Sequence, residues 1–312
     1  MKISFIGAGG VGTTTAFAAG LSGRFDRISL VDIRGNFARG KAMDLQQGFS
    51  LAGHDVEVEG GSSYTLIQGS GAIVVSAGIA NTDGTANRED LLGSNRQIIA
   101  GIARKIRGQI PKKGKQPLII VVTNPLDAML YTLIKAGDFD PKKTVGAGSW
   151  LDAERFKFYF AREFKTRESD VEPTAMGQHG REIVYLLSQT KFKGKPVLAA
   201  RGITQARLAK VCRRATEGAG EIIGLIGNGG TFYGPAMSVI QILTAYADDN
   251  PRLLSASALL DGEYGISGIC LGVPAVISGK GVREIKTLPA TDAEKKAIAK
   301  AAKFARSLLE RA

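Results

Sequence analysis

The stretch that most restricts what this chain can fold into is Gly7-Ala8-Gly9-Gly10-Val11-Gly12. It follows directly on the apolar run Lys2–Ile6 and leads directly into Thr13-Thr14-Thr15-Ala16-Phe17-Ala18-Ala19. The first run reads as a short buried strand and the last as a helix, so the glycines form a strand-to-helix turn. There Gly7 permits the tight turn, Gly9 lets a pyrophosphate approach the backbone, and Gly12 lets the helix pack closely on the strand. The helix start offers unpaired N–H groups and partial positive charge to phosphate. A second strand over 27–31 ends in Asp32, twenty residues after Gly12. A carboxylate there accepts from the adenosine ribose hydroxyls and repels a 2′-phosphate, which favours NAD over NADP. Nearby Arg34 argues the other way.

The alternation of strand and helix continues. Helices are expected over 36–48, 88–107 and 126–135, and strands over 55–59, 72–76, 118–122 and 144–147. Together they predict an α/β chain: a Rossmann-type doubly wound parallel sheet, forming an NAD-binding domain over residues 1–145. Residues 146–312 read as an α+β substrate-binding and catalytic domain. It has a long amphipathic helix through Leu151, a strand leading into His179, a return over 183–187, helices over 205–226 and 234–246, and strands over 253–260 and 269–277. The last helix opens with a capping box, Thr291-Asp292-Ala293-Glu294, and carries an apolar stripe of Ile298, Ala302, Ala305 and Leu309.

At 312 residues the chain has room for two such domains. Its net charge of +12 raises the question of nucleic acid, but the cations are spread in pairs such as Lys112-Lys113 and Arg213-Arg214, without a dense tract. A positive field also draws an anionic cofactor and an anionic substrate, so no nucleic-acid partner is expected. No apolar run reaches the roughly 18 residues of a membrane span, and Met1-Lys2 leads straight into a strand rather than a signal peptide. Cys212 and Cys270 lack metal-site or disulfide spacing. They read as two buried free thiols, and a cytoplasmic protein with no metal and no membrane partner is expected.

Candidate chemistry starts with the two histidines. His179 lies in Gly177-Gln178-His179-Gly180, where small neighbours let a substrate approach; it is a candidate proton carrier or a hydrogen-bonded structural residue. His54, in a polar turn, reads as solvated. Asp152 and Arg155, three apart, share a helix face and either project to one site or form a surface ion pair. The polar segment 81–87 before Arg88 is either a lid carrying a cation onto an anionic substrate or an ordinary surface loop. Asn124 ends a buried strand, where open α/β sheets bind ligands; it contacts a nicotinamide ribose or substrate, or only turns the chain before Pro125.

In order and spacing these segments, with Leu260-Asp261-Gly262-Glu263-Tyr264-Gly265, resemble the lactate/malate dehydrogenase family over essentially the whole chain. The framework is most similar to prokaryotic malate dehydrogenases at 124–129, 233–236 and 260–262. The resemblance implies an NAD-dependent enzyme that transfers hydride reversibly between NAD and an L-2-hydroxy acid, malate or its 2-oxo acid. His179 would exchange the proton, Asp152 fix its tautomer, Arg155 bind the substrate carboxylate and Arg88 polarise the reacting carbonyl. The family also implies a homodimer or homotetramer. Two departures matter. Asn81 or Thr82 stands where malate dehydrogenases carry an additional lid arginine, and Thr231 stands where lactate dehydrogenases tend to have threonine. Lactate or a broader set of 2-hydroxy acids is therefore the alternative. Arg181 replaces a usual aspartate and either supplies the missing cation or faces solvent.

Overall fold

The computed structural model describes residues 1–79, 90–110, 115–227 and 230–311. The expected lid, with Asn81, Thr82 and Arg88, lies outside the described residues. The first half alternates β1 (Lys2–Ile6), α1 (Gly10–Leu21), β2 (Arg27–Val31), α2 (Gly35–Leu51), β3 (Glu57–Gly61), β4 (Ala72–Val75), α3 (Asp90–Gln109), β5 (Leu118–Val121), α4 (Leu126–Gly137) and β6 (Thr144–Gly146). Its strands pair in parallel in the order β3-β2-β1-β4-β5-β6. That order reverses between β1 and β4, so the turns leaving their carboxyl ends diverge and open a crevice.

Side chains alternate across these strands, and both faces are apolar because both are covered. Phe5, Leu30, Val74 and Ile120 face the side where α1, α2 and α7 pack. Ile6, Val31, Val75 and Val121 face α3 and α4. One fit on the first side is tight: Gly20 of α1 leaves the notch that the Phe49 ring of α2 fills, and Phe17 stacks on Phe49 with centroids 5.8 Å apart.

The second half runs α5 (Gly148–Phe164), β7 (Val171–Glu172), β8 (Ala175–Gly177), β9 (Ile183–Tyr185), β10 (Lys191–Phe192), β11 (Lys195–Pro196), α6 (Gln205–Ile226), α7 (Tyr233–Ala247), β12 (Arg252–Asp261), β13 (Ser267–Ser278), β14 (Gly281–Ile285) and α8 (Asp292–Glu310). Antiparallel pairing of β6 with β12 at Gly146 and Ser257 carries the sheet on through β13, β8 and β9, with β14 also on β13. The expected 145/146 junction thus falls inside β6. The capping box is formed: Thr291 N–H donates to Glu294 at 2.8 Å, and Glu294 N–H to the Thr291 hydroxyl at 3.3 Å.

Several elements differ from expectation. The strand expected over 55–59 lies at Glu57–Gly61. Gly60 and Gly61, weak strand formers, belong to it because a Cβ on Gly60 would run into the Ala38 carbonyl of α2; the strand is glycine so that the helix can lie on it. Helix α5 starts at Gly148, ahead of Leu151, since that glycine serves close packing and not a turn. The strands β7, β10 and β11, two residues each, form a separate small sheet too short for periodicity to reveal. Cys270 is buried, but Cys212 is only partly so, which corrects the expectation of two buried thiols. His54 is likewise half-buried in its turn, not fully solvated. Among the described residues no helix is long and apolar enough to cross a membrane.

Emptying the α1–α2 notch is expected to be expensive. Phe49→Ala should lower unfolding free energy by about 3–5 kcal/mol. In urea titration this appears as a lower midpoint with an unchanged slope.

Candidate active site

The glycine motif sits at the crevice. Gly7 has φ +103°, and a Cβ there would come 2.7 Å from the Ala77 nitrogen. A Cβ on Gly12 would overlap the Gly7 carbonyl oxygen, whereas one on Gly9 would meet nothing within 4 Å. Turn and packing therefore close around two glycines while the third faces open space at the amino end of α1, the form a phosphate cradle needs. Asp32 ends β2 with its side chain 11% exposed; its Oδ2 accepts from the Ala8 N–H at 3.0 Å and its Oδ1 from the Arg34 N–H at 3.0 Å. The Arg34 guanidinium is held 3.5 Å from Asp32 and 4.1 Å from the Phe37 ring centre. Gly7, Gly9, Asp32, Ile33, Gly78 and Ile79 line a cavity of about 610 Å³ here. This donor set and shape fit a dinucleotide.

Asn95, fully buried in α3, ties the crevice together. Its Oδ1 accepts from the Ile79 N–H at 2.7 Å, and its Nδ2 donates to the Ile79 carbonyl at 3.0 Å and the Asn124 carbonyl at 2.8 Å. The turns after β4 and β5 are thereby joined, and the Asn124 side chain is left exposed at the strand end. Sequence gives no sign of this role, because both partners are backbone groups distant in the chain.

His179 lies on the turn between β8 and β9. His179 Nδ1 and Asp152 Oδ2 lie 2.8 Å apart. Asp152 is an acceptor only, so Nδ1 carries the hydrogen and Nε2 is the free nitrogen. The other oxygen of Asp152 lies 3.6 Å from Arg155 Nη1, so a carboxylate 1% exposed is shared by a histidine and an arginine that are 12% and 13% exposed. Of the two readings left open, the ion pair is not on the surface. The ring sits so close to α5 that a Cβ on Gly148 would come 2.5 Å from it.

A second carboxylate stands behind the histidine. Asp127 Oδ2, on the first turn of α4, accepts from the His179 main-chain N–H at 3.0 Å, and the side chain is 2% exposed. Burial is the largest influence on it and pushes its pKa up to about 6, opposed by the Ser257 hydroxyl and by His179. In sequence Asp127 is indistinguishable from an acidic residue placed to suit a helix dipole.

Thr231 is half-buried two residues before α7, and Arg181 is exposed on the turn after His179. Among the described residues no group of three or more His, Cys, Asp or Glu is placed to hold a metal.

Comparison with known proteins gives the same outline. Residues 1–146 match the lactate/malate dehydrogenase NAD binding domain, and residues 149–311 the alpha/beta C-terminal domain of the same family. A malate dehydrogenase of Bacillus israeli is 36% identical over 311 residues, covering 99% of this chain and 97% of that protein. The solved malate dehydrogenase of Salinibacter ruber superposes with a TM-score of 0.91 at 31% identity, covering 100% of this chain and 97% of that one. The lactate dehydrogenase of Cryptosporidium parvum, solved with lactic acid and nicotinamide adenine dinucleotide, gives 0.93 at 28% identity, covering 99% and 96%. Sequence, fold and cofactor crevice agree: this chain belongs to the lactate/malate dehydrogenase family of NAD-dependent oxidoreductases acting on a CH–OH group.

Proposed function

We propose that the protein interconverts L-malate and oxaloacetate with NAD, His179 carrying the proton. The observation that carries this reading is the buried line from His179 through Asp152 to Arg155, at 2.8 and 3.6 Å, next to the strand end that bears Asn124. Bound NAD would supply or take up the hydride. The chain's own groups do the rest. In reduction, imidazolium Nε2 gives its proton to the oxo oxygen as the carbon gains hydride; in oxidation neutral Nε2 takes it back. Asp152 holds the ring in the tautomer that leaves Nε2 free and favours the charged form. Arg155, steadied by the same carboxylate, offers a planar fork to the substrate carboxylate, which lysine cannot match.

Gly7, Gly9 and Gly12 would cradle the pyrophosphate, Asp32 the adenosine ribose, and Asn124 the nicotinamide ribose or the substrate. Arg88 is assigned to the carbonyl by resemblance alone. The full-length relatives named malate dehydrogenase support the substrate. A lactate or broader 2-hydroxy-acid reading rests on Asn81 and Thr231. We further propose a cytoplasmic homodimer or homotetramer, for which exposed Met43, Leu51, Tyr233 and Met237 on α2 and α7 offer apolar faces.

NADH oxidation with oxaloacetate and pyruvate side by side should show a clear oxaloacetate preference; a pyruvate preference moves the assignment to the second reading. His179→Ala should abolish turnover while NADH affinity stays within about threefold. Lost NADH binding would make the histidine structural. Asp152→Asn should reduce kcat on the order of 10⁴-fold through the wrong tautomer, and retention of normal kcat would remove Asp152 from the mechanism.

A further inference from the structure

We infer that Asp127 is a second carboxylate serving the proton-carrying histidine: a positioning residue that fixes the His179 main chain through its N–H and lends its charge to the imidazolium from the side opposite the substrate. The inference rests on the assignment of His179 as proton carrier.

Three observations support it. The contact is direct: Asp127 Oδ2 lies 3.0 Å from the His179 nitrogen, across 52 residues of chain. The geometry leaves little play. Asp127 follows Leu126, whose side chain and the His179 ring both lie against Gly148 of α5, so the start of α4 and the histidine pack at the same point. The surroundings are polar yet under-bonded. Asp127 Oδ1 and the Ser149, Gln178 and Ser257 side chains include buried oxygens that close no hydrogen bond of ordinary geometry among the described residues. Gly272 places this group together, since a Cβ on it would overlap the Ser149 hydroxyl and come 2.8 Å from the Gly177 carbonyl.

An ordinary structural carboxylate would be better paired. The groups facing Asp127 are His179 from the β8–β9 turn, Asp152 from α5, the Ser257 hydroxyl from β12 and the Cys270 thiol from β13. His179 is the only cation-forming group among them, and Asp152 repels it. With its pKa raised by burial, Asp127 lowers folding stability as pH rises from the ordinary carboxylate range, and the penalty is complete above about pH 6. An asparagine of the same shape would avoid that penalty while still accepting from the N–H. What the carboxylate adds is charge, and the histidine is where that charge acts.

The test uses Asp127→Asn, which keeps the acceptor and removes the charge, and Asp127→Ala, which removes both. The chain has only two histidines, so proton NMR titration of the NADH-loaded protein reads His179 with His54 as internal control. Loss of a nearby negative charge destabilises imidazolium. In Asp127→Asn the His179 titration should move to lower pH by about one unit while His54 stays, and the His179-dependent limbs of the pH–rate profiles in both directions should move the same way. Asp127→Ala should in addition lose about 100-fold in kcat, with KM for NADH held, as expected for a displaced catalytic group. If the alanine variant fails to fold, the asparagine variant still decides. A His179 titration unmoved in Asp127→Asn overturns the inference whatever the substrate proves to be. A wild-type protein that reduces no 2-oxo acid overturns the proposed function instead and leaves the titration readable.

Discussion

The Asp152 carboxylate, almost wholly withdrawn from water, is the interaction on which the rest of the site depends. Such a charge is tolerable only with partners; removing one from a buried pair typically costs about 3–5 kcal/mol. Its two partners are the histidine and arginine to which the proposed chemistry is assigned. Electrostatic necessity therefore assembles the site: α5 supplies Asp152 and Arg155 one turn apart, and the turn after β8 must bring His179 to the same point. Fold stability and the geometry of the proposed chemistry impose one requirement here, placement of the ring against Asp152.

The first half of the molecule follows from a different rule. Central strands buried on both faces read as continuous apolar runs, and Lys2–Ile6, Ala72–Val75 and Leu118–Val121 were legible for that reason. The glycine motif was legible because Gly7 and Gly12 are each demanded by a different local constraint, a tight turn and a close packing. Strand β3 was placed two residues early because its glycines look like turn residues until α2 is seen lying on them. Helix α5 extends ahead of Leu151 to Gly148, a glycine that serves close packing against the His179 ring.

Of the candidate site, the residues whose proposed role follows from their own type stood out in the sequence: an isolated histidine among glycines, a carboxylate and guanidinium on one helix face, an acid just after β2. Asn95 and Asp127 were not. Each acts on main-chain groups of a distant segment, Asn95 on Ile79 and Asn124, Asp127 on His179. A bond to backbone places no demand on the identity of the partner residue, so neither spacing nor composition carries a trace of it.

Gly148, Gly272 and Gly12 share a property with implications for how such a chain can change. Each marks a place where two segments touch through a missing methyl group, around the imidazole, the Ser149 hydroxyl and the Gly7 carbonyl. The accuracy of the site is stored partly in atoms that are not there. Residues with no reactive group thus fence the routes by which substitutions can accumulate, and new specificity is freer to arise on the loops that rim the crevice than in the packed floor beneath it.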